Sequence, residues 1–350
     1  MALINLDYSG NYNKFDTEDM YGEIISLPAQ IEEVYFNQSP SKISQYYKNI
    51  RKIFISGMGG SAIAGDIAKC IFEDIIPITV VKDYYLPNYV DDSSLGIVCS
   101  YSGNTAETID CFETFKKEGA QIAMVTSGGI LKHFSTEEEY LIKMIPDGFQ
   151  PRTAIGYLFF SIVKILEELE LIPDQSINVK LTQVNIRSKL ELISKDISSE
   201  TNLAKNISMK LFKRIPVIYS SNPKLYPLAY RFKCQFNENA KNHAFSHTFS
   251  EMNHNEIEGW ESKYNFNLMP IFIRDFKEEK RYLNRLKALQ NIFKREKIEF
   301  IEIYTDGKTM MGKMFSTILL CDMISYYLAI LNKVNPSTIN FIDELKKSIL

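Results

Sequence analysis

Two segments rich in glycine and hydroxyl groups could bind the phosphate of a sugar. Each follows a run of apolar residues and precedes a helical pattern: residues 53–66 read IFISGMGGSAIAGD, and residues 99–108 read CSYSGNTAET. Free backbone N–H groups and the helix dipole attract an anion at the start of a helix, and hydroxyl groups add donors without adding charge. The residues that we expect at these two turns are Gly57, Gly59, Gly60, Ser61, Ser100, Ser102 and Thr105.

Each turn alone also has a purely structural interpretation. Glycine-rich turns between a strand and a helix are common, and Ser or Thr at a helix start is ordinary capping. The first turn lacks the G-x-x-x-x-G-K-[ST] pattern of nucleotide P-loops, and Ala62 stands at the third position of the dinucleotide pattern G-x-G-x-x-G. Two such turns in one sheet nevertheless favour a ligand site, because ligands bind where the strand order reverses.

A polar stretch in the second half of the chain could supply acid–base chemistry. Residues 235–260 read QFNENAKNHAFSHTFSEMNHNEIEGW and contain three of the four histidines. His243 and His247 stand four residues apart, a spacing that would suit zinc on a helix, but the HExxH pattern is absent and we expect no metal. Glu238 lies in a helical pattern, where a carboxylate is either a solvated side chain or a general base.

These candidate residues must be held by regular elements, and the pattern of the chain indicates an α/β fold. Short apolar runs alternate with amphipathic segments in both halves, which predicts two domains, each with a doubly wound, mainly parallel sheet flanked by helices. The boundary is expected in residues 171–180, giving a domain at 1–173 with an N-terminal helix and a domain at 180–350. The predicted strands are 52–56, 78–81, 95–100, 121–126, 215–220, 268–273 and 299–305. The predicted helices are 17–36, 60–74, 104–118, 153–172, 186–207, 224–241, 279–296, 309–333 and 336–349.

Composition excludes several classes of protein. The 350 residues are 45% hydrophobic and 24% charged, with a formal net charge of −3, so nothing favours a nucleic-acid or membrane-surface partner. We expect no signal peptide, because no basic segment precedes an apolar one at the N-terminus. Residues 315–331 are the most apolar stretch, and Asp322 interrupts them, which predicts a buried helix. The five scattered cysteines form no CxxC pair and indicate reduced core residues of a cytoplasmic protein.

Four blocks of the sequence resemble the bifunctional phosphoglucose/phosphomannose isomerases, a family built from two sugar isomerase (SIS) domains. The blocks are GMGGSAIAGD at 57–66, SYSGNTAET at 100–108, NENAKNHAF…SEMNHNEIEGW at 237–260 and the C-terminal segment 326–350. The first two blocks are typical of SIS domains generally, and the third is more specific to this family. The 16-residue interval from Glu238 to His254 matches the family's spacing of base and ring-opening histidine.

The resemblance implies a role for each residue that matches a family position. Glu238 matches the base that moves a proton between C1 and C2. His254 matches the histidine that assists ring opening, which in the family comes from the other subunit of a dimer. Arg152 matches an arginine that stabilises the enediolate. The residues that match the phosphate-binding positions are Gly60, Ser61, Ser100, Ser102 and Thr105.

Two further assignments and two departures follow from the resemblance. Lys346 matches a lysine near the ring oxygen, although the neighbouring Lys347 leaves the register open by one residue. Thr338 is the nearby candidate for the family's threonine that is linked to acceptance of mannose 6-phosphate. Ser250 stands where the family commonly has proline, and Phe232 where it often has tryptophan. Neither departure removes a catalytic group.

The resemblance thus implies an isomerase that needs no metal or other cofactor. It would interconvert glucose 6-phosphate, and mannose 6-phosphate, with fructose 6-phosphate through a cis-enediol, as a cytoplasmic homodimer with a shared active site. One carboxylate, a donor and acceptor pair for ring opening and a cation beside the developing negative charge are the groups that this reaction requires. The alternatives are another SIS-type sugar-phosphate isomerase, such as one that makes an amino sugar phosphate, and a non-catalytic SIS protein that binds sugar phosphates.

Overall fold

The computed structural model describes residues 4–137, 140–262 and 267–349, and within them nine strands form two parallel sheets. The predicted α/β fold with parallel sheets flanked by helices is confirmed. The strands of the first sheet are β1 (Lys52–Ser56), β2 (Ile78–Val81), β3 (Ser94–Cys99), β4 (Gln121–Thr126) and β5 (Leu141–Met144). The strands of the second are β6 (Ile215–Ser220), β7 (Phe245–Thr248), β8 (Leu268–Arg274) and β9 (Ile301–Tyr304).

Fifteen α-helices lie in the described residues, together with a π-helix at Glu32–Asn37 and a 3₁₀ turn at Pro223–Leu225. Before the second sheet they are α1 (Ser9–Phe15), α2 (Met20–Ile25), α3 (Leu27–Ile31), α4 (Gly59–Phe72), α5 (Ala106–Lys117), α6 (Gly129–Glu137), α7 (Ile155–Glu168), α8 (Ser176–Ile193) and α9 (Leu203–Leu211). After β6 they are α10 (Tyr226–Glu238), α11 (Phe249–Met252), α12 (Glu256–Gly259), α13 (Lys280–Arg295), α14 (Met310–Asn332) and α15 (Asn340–Ile349).

The chain divides into two compact units, each with one sheet. One unit is Ser26–Gln183, and the other joins Met1–Ile25 to Val184–Leu350. The N-terminal helices α1 and α2 therefore belong to the compact unit that contains the second sheet. The domain ranges 1–173 and 180–350 stay a prediction, from which the compact units differ at the N-terminus and within α8.

Aromatic packing explains why the N-terminal helices belong to the unit that contains the second sheet. The Tyr12 and Tyr326 rings stack with centroids 6.1 Å apart, and the Tyr21 ring lies 5.7 Å from that of Tyr326. The Tyr326 hydroxyl donates to Asp16 Oδ2 at 3.0 Å. Such ring contacts bury much apolar surface and satisfy the phenol at the same time, so they attach α1 and α2 to α14.

The first sheet is doubly wound because its helices cover both faces. Its strand order is β2-β1-β3-β4-β5, and all its pairs are parallel. Phe54 of β1 packs in one core cluster with Phe112 and Phe115 of α5. The next residue, Ile55, points to the opposite face, where a Cβ built on Gly65 of α4 would lie 2.9 Å from Ile55 Cγ2. Strands covered on both faces are buried along their length, as β3 and β4 are.

The second sheet has the order β7-β6-β8-β9 and belongs to the same compact unit as the long helix α14. Among the described residues, α14 is the one helix that is long and apolar enough to cross a membrane, with a mean hydropathy of 1.7. The most apolar 18 residues of α14 are all buried within the fold, as in a core helix. The predicted buried helix around residues 315–331 is therefore confirmed, with Asp322 inside it.

One predicted helix, 186–207, is wrong. The structure has α8 ending at Ile193 and α9 beginning at Leu203, with Asn202 Oδ1 accepting from Lys205 N at 3.1 Å as the cap of α9. The buried Lys205 ammonium donates to the carbonyl oxygens of Lys195 at 2.7 Å and Ile197 at 2.8 Å. These bonds hold the intervening turn, so the charged pattern of the sequence does not continue as one helix. The short strands β5 and β7 were not predicted either.

All five cysteines are thiols, and three of them are buried. Burial raises the pKa of the Cys99 thiol to about 12, although a hydrogen bond with Ser61 opposes the shift. Burial, with Asp110 nearby, also raises the pKa of the Cys111 thiol to about 12. Thiols of this kind stay protonated and unreactive at neutral pH.

Candidate active site

The two glycine- and hydroxyl-rich turns lie side by side at the carboxyl edge of the first sheet. They follow β1 and β3, which are neighbours in register, with Ser56 opposite Val98. The strand order reverses between these strands, because β2 lies on the far side of β1 while β4 and β5 lie beyond β3. Ligands of doubly wound sheets bind at such a switch point.

Hydrogen bonds join the hydroxyl groups of these turns. Ser61, the third residue of α4, is 4% exposed, and its Oγ accepts from Tyr101 N at 3.3 Å. Thr105 stands at the N-cap position of α5, but its side chain makes no capping hydrogen bond to that helix. Its Oγ1 is instead hydrogen-bonded to Ser100 Oγ, 2.9 Å away. Ser102 is exposed. The structure thus brings the predicted phosphate-binding residues together at two helix starts, where backbone N–H groups lack helical partners.

Gly60 lies in close contact with the segment that carries Arg152. A Cβ on Gly60 would lie 2.5 Å from the carbonyl oxygen of Pro151 and 3.2 Å from Arg152 Cα. Arg152 itself is 3% exposed, and its Nη1 donates to Gln150 Oε1 at 3.2 Å. Only glycine permits this approach, so the phosphate turn and the arginine segment are positioned by one contact.

Glu238 lies in the other compact unit, beside a cavity of about 510 Å³. It is the last residue of α10 and is half-buried. The cavity is lined by side chains between residues 237 and 243 and by residues 338–342. Glu238 and Thr338, the predicted base and the predicted specificity residue, therefore line the same cavity although they are far apart in sequence.

Lys241 connects the two walls of this cavity. Its Nζ donates to the carbonyl oxygen of Glu238 and, at 2.7 Å, to that of Thr338. Lys241 also has a φ of 51°, so the chain turns sharply after α10. The sequence pattern does not predict a role for Lys241. Its place in the NENAK block, three residues after Glu238, was the available signal.

His254 does not line the cavity that Glu238 lines. It is exposed, in the turn between α11 and α12, and its backbone N–H donates to Glu251 O at 3.0 Å. His247 lies in β7, so His243 and His247 do not share a helical face, and His247 Nδ1 is 3.1 Å from Glu256 Oε1. Within this unit, the structure does not place the predicted base and the predicted ring-opening histidine in one cavity.

Lys346 and Lys347 are exposed on α15, outside the lining of the cavity. The first residues of α15 do line it, including Phe341, whose surface is 87% exposed. Leu345 is 61% exposed on the same helix. The C-terminal helix predicted at 336–349 is present as α15, which begins at Asn340, and both lysines are exposed on it.

Comparison with known proteins shows which family this chain is similar to. Residues 200–349 match the family model described as the bacterial phospho-glucose isomerase C-terminal SIS domain. The chain is 35% identical over 334 residues to the bifunctional phosphoglucose/phosphomannose isomerase of Caldicellulosiruptor bescii, covering 94% of this chain and 98% of that protein. Further relatives at 31–35% identity carry the same name.

Two other similarities were found, one in sequence and one in fold. It is 31% identical over 227 residues to the D-glucosamine-6-phosphate 4-epimerase of Sulfolobus acidocaldarius, covering 65% of this chain and 69% of that protein. The fold resembles the C-terminal domain of glucosamine-fructose-6-phosphate aminotransferase from Francisella tularensis, with a TM-score of 0.72 and 19% identity over 91% of this chain and 98% of that one. At that identity the likeness concerns the fold alone.

Proposed function

The chain belongs to the family of bifunctional phosphoglucose/phosphomannose isomerases, and we propose that it interconverts glucose 6-phosphate and mannose 6-phosphate with fructose 6-phosphate. The observation that carries this proposal is the similarity to the Caldicellulosiruptor bescii isomerase over nearly the full length of both chains. The strand-end hydroxyls and the cavity beside Glu238 supply groups that such a reaction uses.

In the proposed mechanism Glu238 is the general base. It removes the proton from C2 of the open-chain aldose, which gives the cis-enediol once O1 is protonated. Glu238 then returns the proton to C1 while O2 loses its proton, and the ketose forms. A carboxylate that is half-buried beside a cavity of about 510 Å³ has room for a sugar next to it. Mannose 6-phosphate differs from glucose 6-phosphate only at C2 and gives the same enediol, so one base serves both substrates if the enediol rotates about its C2–C3 bond.

The other groups act on charge and on position. Ser61, Ser100, Ser102 and Thr105, with the backbone at Gly60, bind the phosphate, whose binding energy holds the distant C1 and C2 against the base. Arg152 stabilises the negative charge of the enediolate. Each of these steps uses only side chains of the protein, so we propose that turnover requires no metal.

We further propose that two copies of the chain share each active site. His254 is exposed, and it lies outside the cavity of Glu238 in its own unit, which supports a role in the partner's site. There it would assist ring opening, with Lys346 near the ring oxygen and Thr338 contacting the part of the sugar that distinguishes mannose. The five thiols support a reducing compartment, and we propose the cytoplasm.

A coupled assay tests the reaction. Purified protein and fructose 6-phosphate are mixed with glucose-6-phosphate dehydrogenase and NADP, and we expect NADPH to form. Adding a chelator before the assay should leave the rate unchanged. Proton NMR of the same mixture without the coupling enzyme should show mannose 6-phosphate as well. Formation of only one aldose would contradict bifunctionality.

The similarity to a D-glucosamine-6-phosphate 4-epimerase favours one second candidate, an epimerase of an amino sugar phosphate. The same NMR measurement with D-glucosamine 6-phosphate separates the two. Conversion of the amino sugar without conversion of fructose 6-phosphate would replace our proposal by the epimerase. Binding of fructose 6-phosphate without conversion of either sugar would indicate a non-catalytic sugar-phosphate protein.

A further inference from the structure

Asp322 is a carboxylate in the middle of the buried, apolar helix α14. It is 4% exposed, and both of its oxygens are used by side chains of α10. Arg231 Nη2 donates to Asp322 Oδ2 at 2.6 Å, and Gln235 Nε2 donates to Asp322 Oδ1 at 2.8 Å. Arg231 and Gln235 are 2% and 1% exposed. Taking charges out of water is costly, so an apolar core with such a group calls for an explanation.

The row of polar contacts continues to the end of α10. Asn239, four residues after Gln235, donates through Nδ2 to Ser325 Oγ at 3.0 Å. Ser325 Oγ in turn donates to the carbonyl oxygen of Asp322 at 2.7 Å. Beyond these residues, Asn332 Nδ2 donates to the carbonyl oxygen of Ala240 at 2.9 Å. Residues spaced by four lie along one stripe of a helix, so a single stripe of α10 is bonded to α14 as far as the residues that follow Glu238.

Apolar packing alone would fix this helix less well. The Phe232 and Phe236 rings of α10 are 4.2 Å apart and are fully buried, but the burial of apolar surface has no preferred direction. A rotation or a slide of α10 would separate the charged and amide groups from Asp322. Breaking a buried ion pair is strongly unfavourable, whereas replacing the whole pair by apolar groups is often neutral or stabilising. The network therefore fixes the position of α10 relative to α14 while adding little to the free energy of unfolding.

The position that it defines is that of Glu238. Glu238 is the last residue of α10, next to Asn239 in sequence and about 100° around the helix from it. The last turn of a helix is prone to fray, and a base that must reach two adjacent carbons tolerates little displacement. We infer that Asp322 is a positioning residue, which holds the carboxylate of Glu238 in register through Arg231, Gln235 and Ser325. This inference rests on the proposed role of Glu238.

Two variants test the inference. In the triple variant Arg231→Met, Gln235→Leu and Asp322→Leu, the network becomes apolar, and we expect the melting temperature to be kept or raised. The kcat for fructose 6-phosphate should nevertheless fall roughly 10- to 100-fold, as misplacement of a reacting group does, with KM changed less than about threefold. Asp322→Asn keeps the shape of the side chain but replaces one carboxylate oxygen by an NH2 group. That NH2 group would face the donor of Arg231 or of Gln235 and lose the hydrogen bond, so kcat should fall in the same way.

Tyr327→Phe is the matched control on the same helix. It removes a buried hydrogen bond from α14 to the carbonyl oxygen of Ile193, 2.7 Å long, on a side chain that takes no part in the network. We expect it to lower the melting temperature and to keep the wild-type kcat. If Tyr327→Phe and Asp322→Asn lower kcat equally at an equal loss of melting temperature, activity follows stability and the inference is overturned.

The remaining outcomes separate this inference from the proposed function. A folded triple variant with wild-type kcat overturns the inference, provided that Glu238→Gln is inactive. If the triple variant does not fold, Asp322→Asn and Tyr327→Phe decide by the same comparison. If Glu238→Gln keeps wild-type turnover, Glu238 is not the base, and the mechanism falls together with the inference.

Discussion

The hydroxyl oxygen of Ser61 accepts a hydrogen bond from the backbone N–H of Tyr101, at 3.3 Å. This bond connects the turn after β1 with the turn after β3, at the point where the strand order of the first sheet reverses. The two turns therefore form one surface of hydroxyl groups and helix starts, which we propose as the phosphate site.

The first prediction concerns this surface. Ser61→Ala removes a donor that would serve the phosphate dianion, and hydrogen bonds to charged groups contribute about 1.5–3 kcal/mol, so KM should rise roughly 10- to 100-fold. Steady-state kinetics with fructose 6-phosphate measures it. Ser56→Ala is the control, because the Ser56 hydroxyl is buried without a hydrogen-bond partner in the structure. An unchanged KM in Ser61→Ala would remove this serine from the phosphate site.

Glu238→Gln is expected to bind the sugar phosphate and to lose turnover. The amide keeps the size of the side chain but cannot accept the C2 proton, and loss of a general base costs roughly 10²–10⁴-fold in rate. Calorimetric titration should give a fructose 6-phosphate affinity close to that of the wild type, and the coupled assay gives the rate. Glu251→Gln, which alters an exposed carboxylate of α11, serves as the comparison. Wild-type turnover in Glu238→Gln would contradict the mechanism.

Gly60→Ala should disturb the segment that carries Arg152. The added methyl group would stand 2.5 Å from the carbonyl oxygen of Pro151, so backbone must move, and overpacking of this kind costs about 1–3 kcal/mol. Chemical denaturation should record that loss, together with reduced kcat. Gly128→Ala adds the same methyl group where nothing lies within 4 Å and should be neutral. Equal stability of the two variants would mean that the close approach has no consequence.

Sequence patterns predicted the strands and helices of this fold better than they predicted which side chains come together. Strands β1 to β4 were found because each is a short apolar run followed by a turn, whereas β7 was missed because its burial is incomplete and its sequence FSHT carries no such pattern. The two hydroxyl-rich turns were expected to lie at the same edge of one sheet, because the strands before them were predicted to be parallel. That Glu238 and Thr338 line one cavity could not be derived, since a tertiary contact over 100 residues leaves no local periodicity.

Lys346→Ala and Lys347→Ala determine which lysine serves the active site. Both side chains are exposed on α15, and the one that reaches the sugar should lower kcat by roughly 10-fold or more when its charge is removed, as loss of an electrostatic stabiliser does. The other variant should behave as the wild type and acts as the internal control. Full turnover in both variants, with either aldose phosphate, would give the C-terminal helix a structural role only.

Mixing two inactive variants tests whether subunits share an active site. A dimer of one Glu238→Gln chain and one His254→Ala chain has one site with both groups intact if His254 crosses to the partner. Random exchange of subunits should then restore about one quarter of the wild-type activity. Differently tagged chains, purified over both tags, verify that mixed dimers have formed. Mixed dimers without activity would mean that each chain supplies its own histidine.

The distribution of the thiols allows the separation of the two compact units to be measured with native cysteines alone. Cys99, Cys111 and Cys321 are buried, whereas Cys70 of α4 and Cys234 of α10 are partly accessible. One of these two belongs to Ser26–Gln183 and the other to the unit that contains the second sheet. A donor dye and an acceptor dye coupled through maleimides would therefore report by energy transfer on the separation of the two units. No residue need be replaced, and the signal can be followed while a sugar phosphate is added.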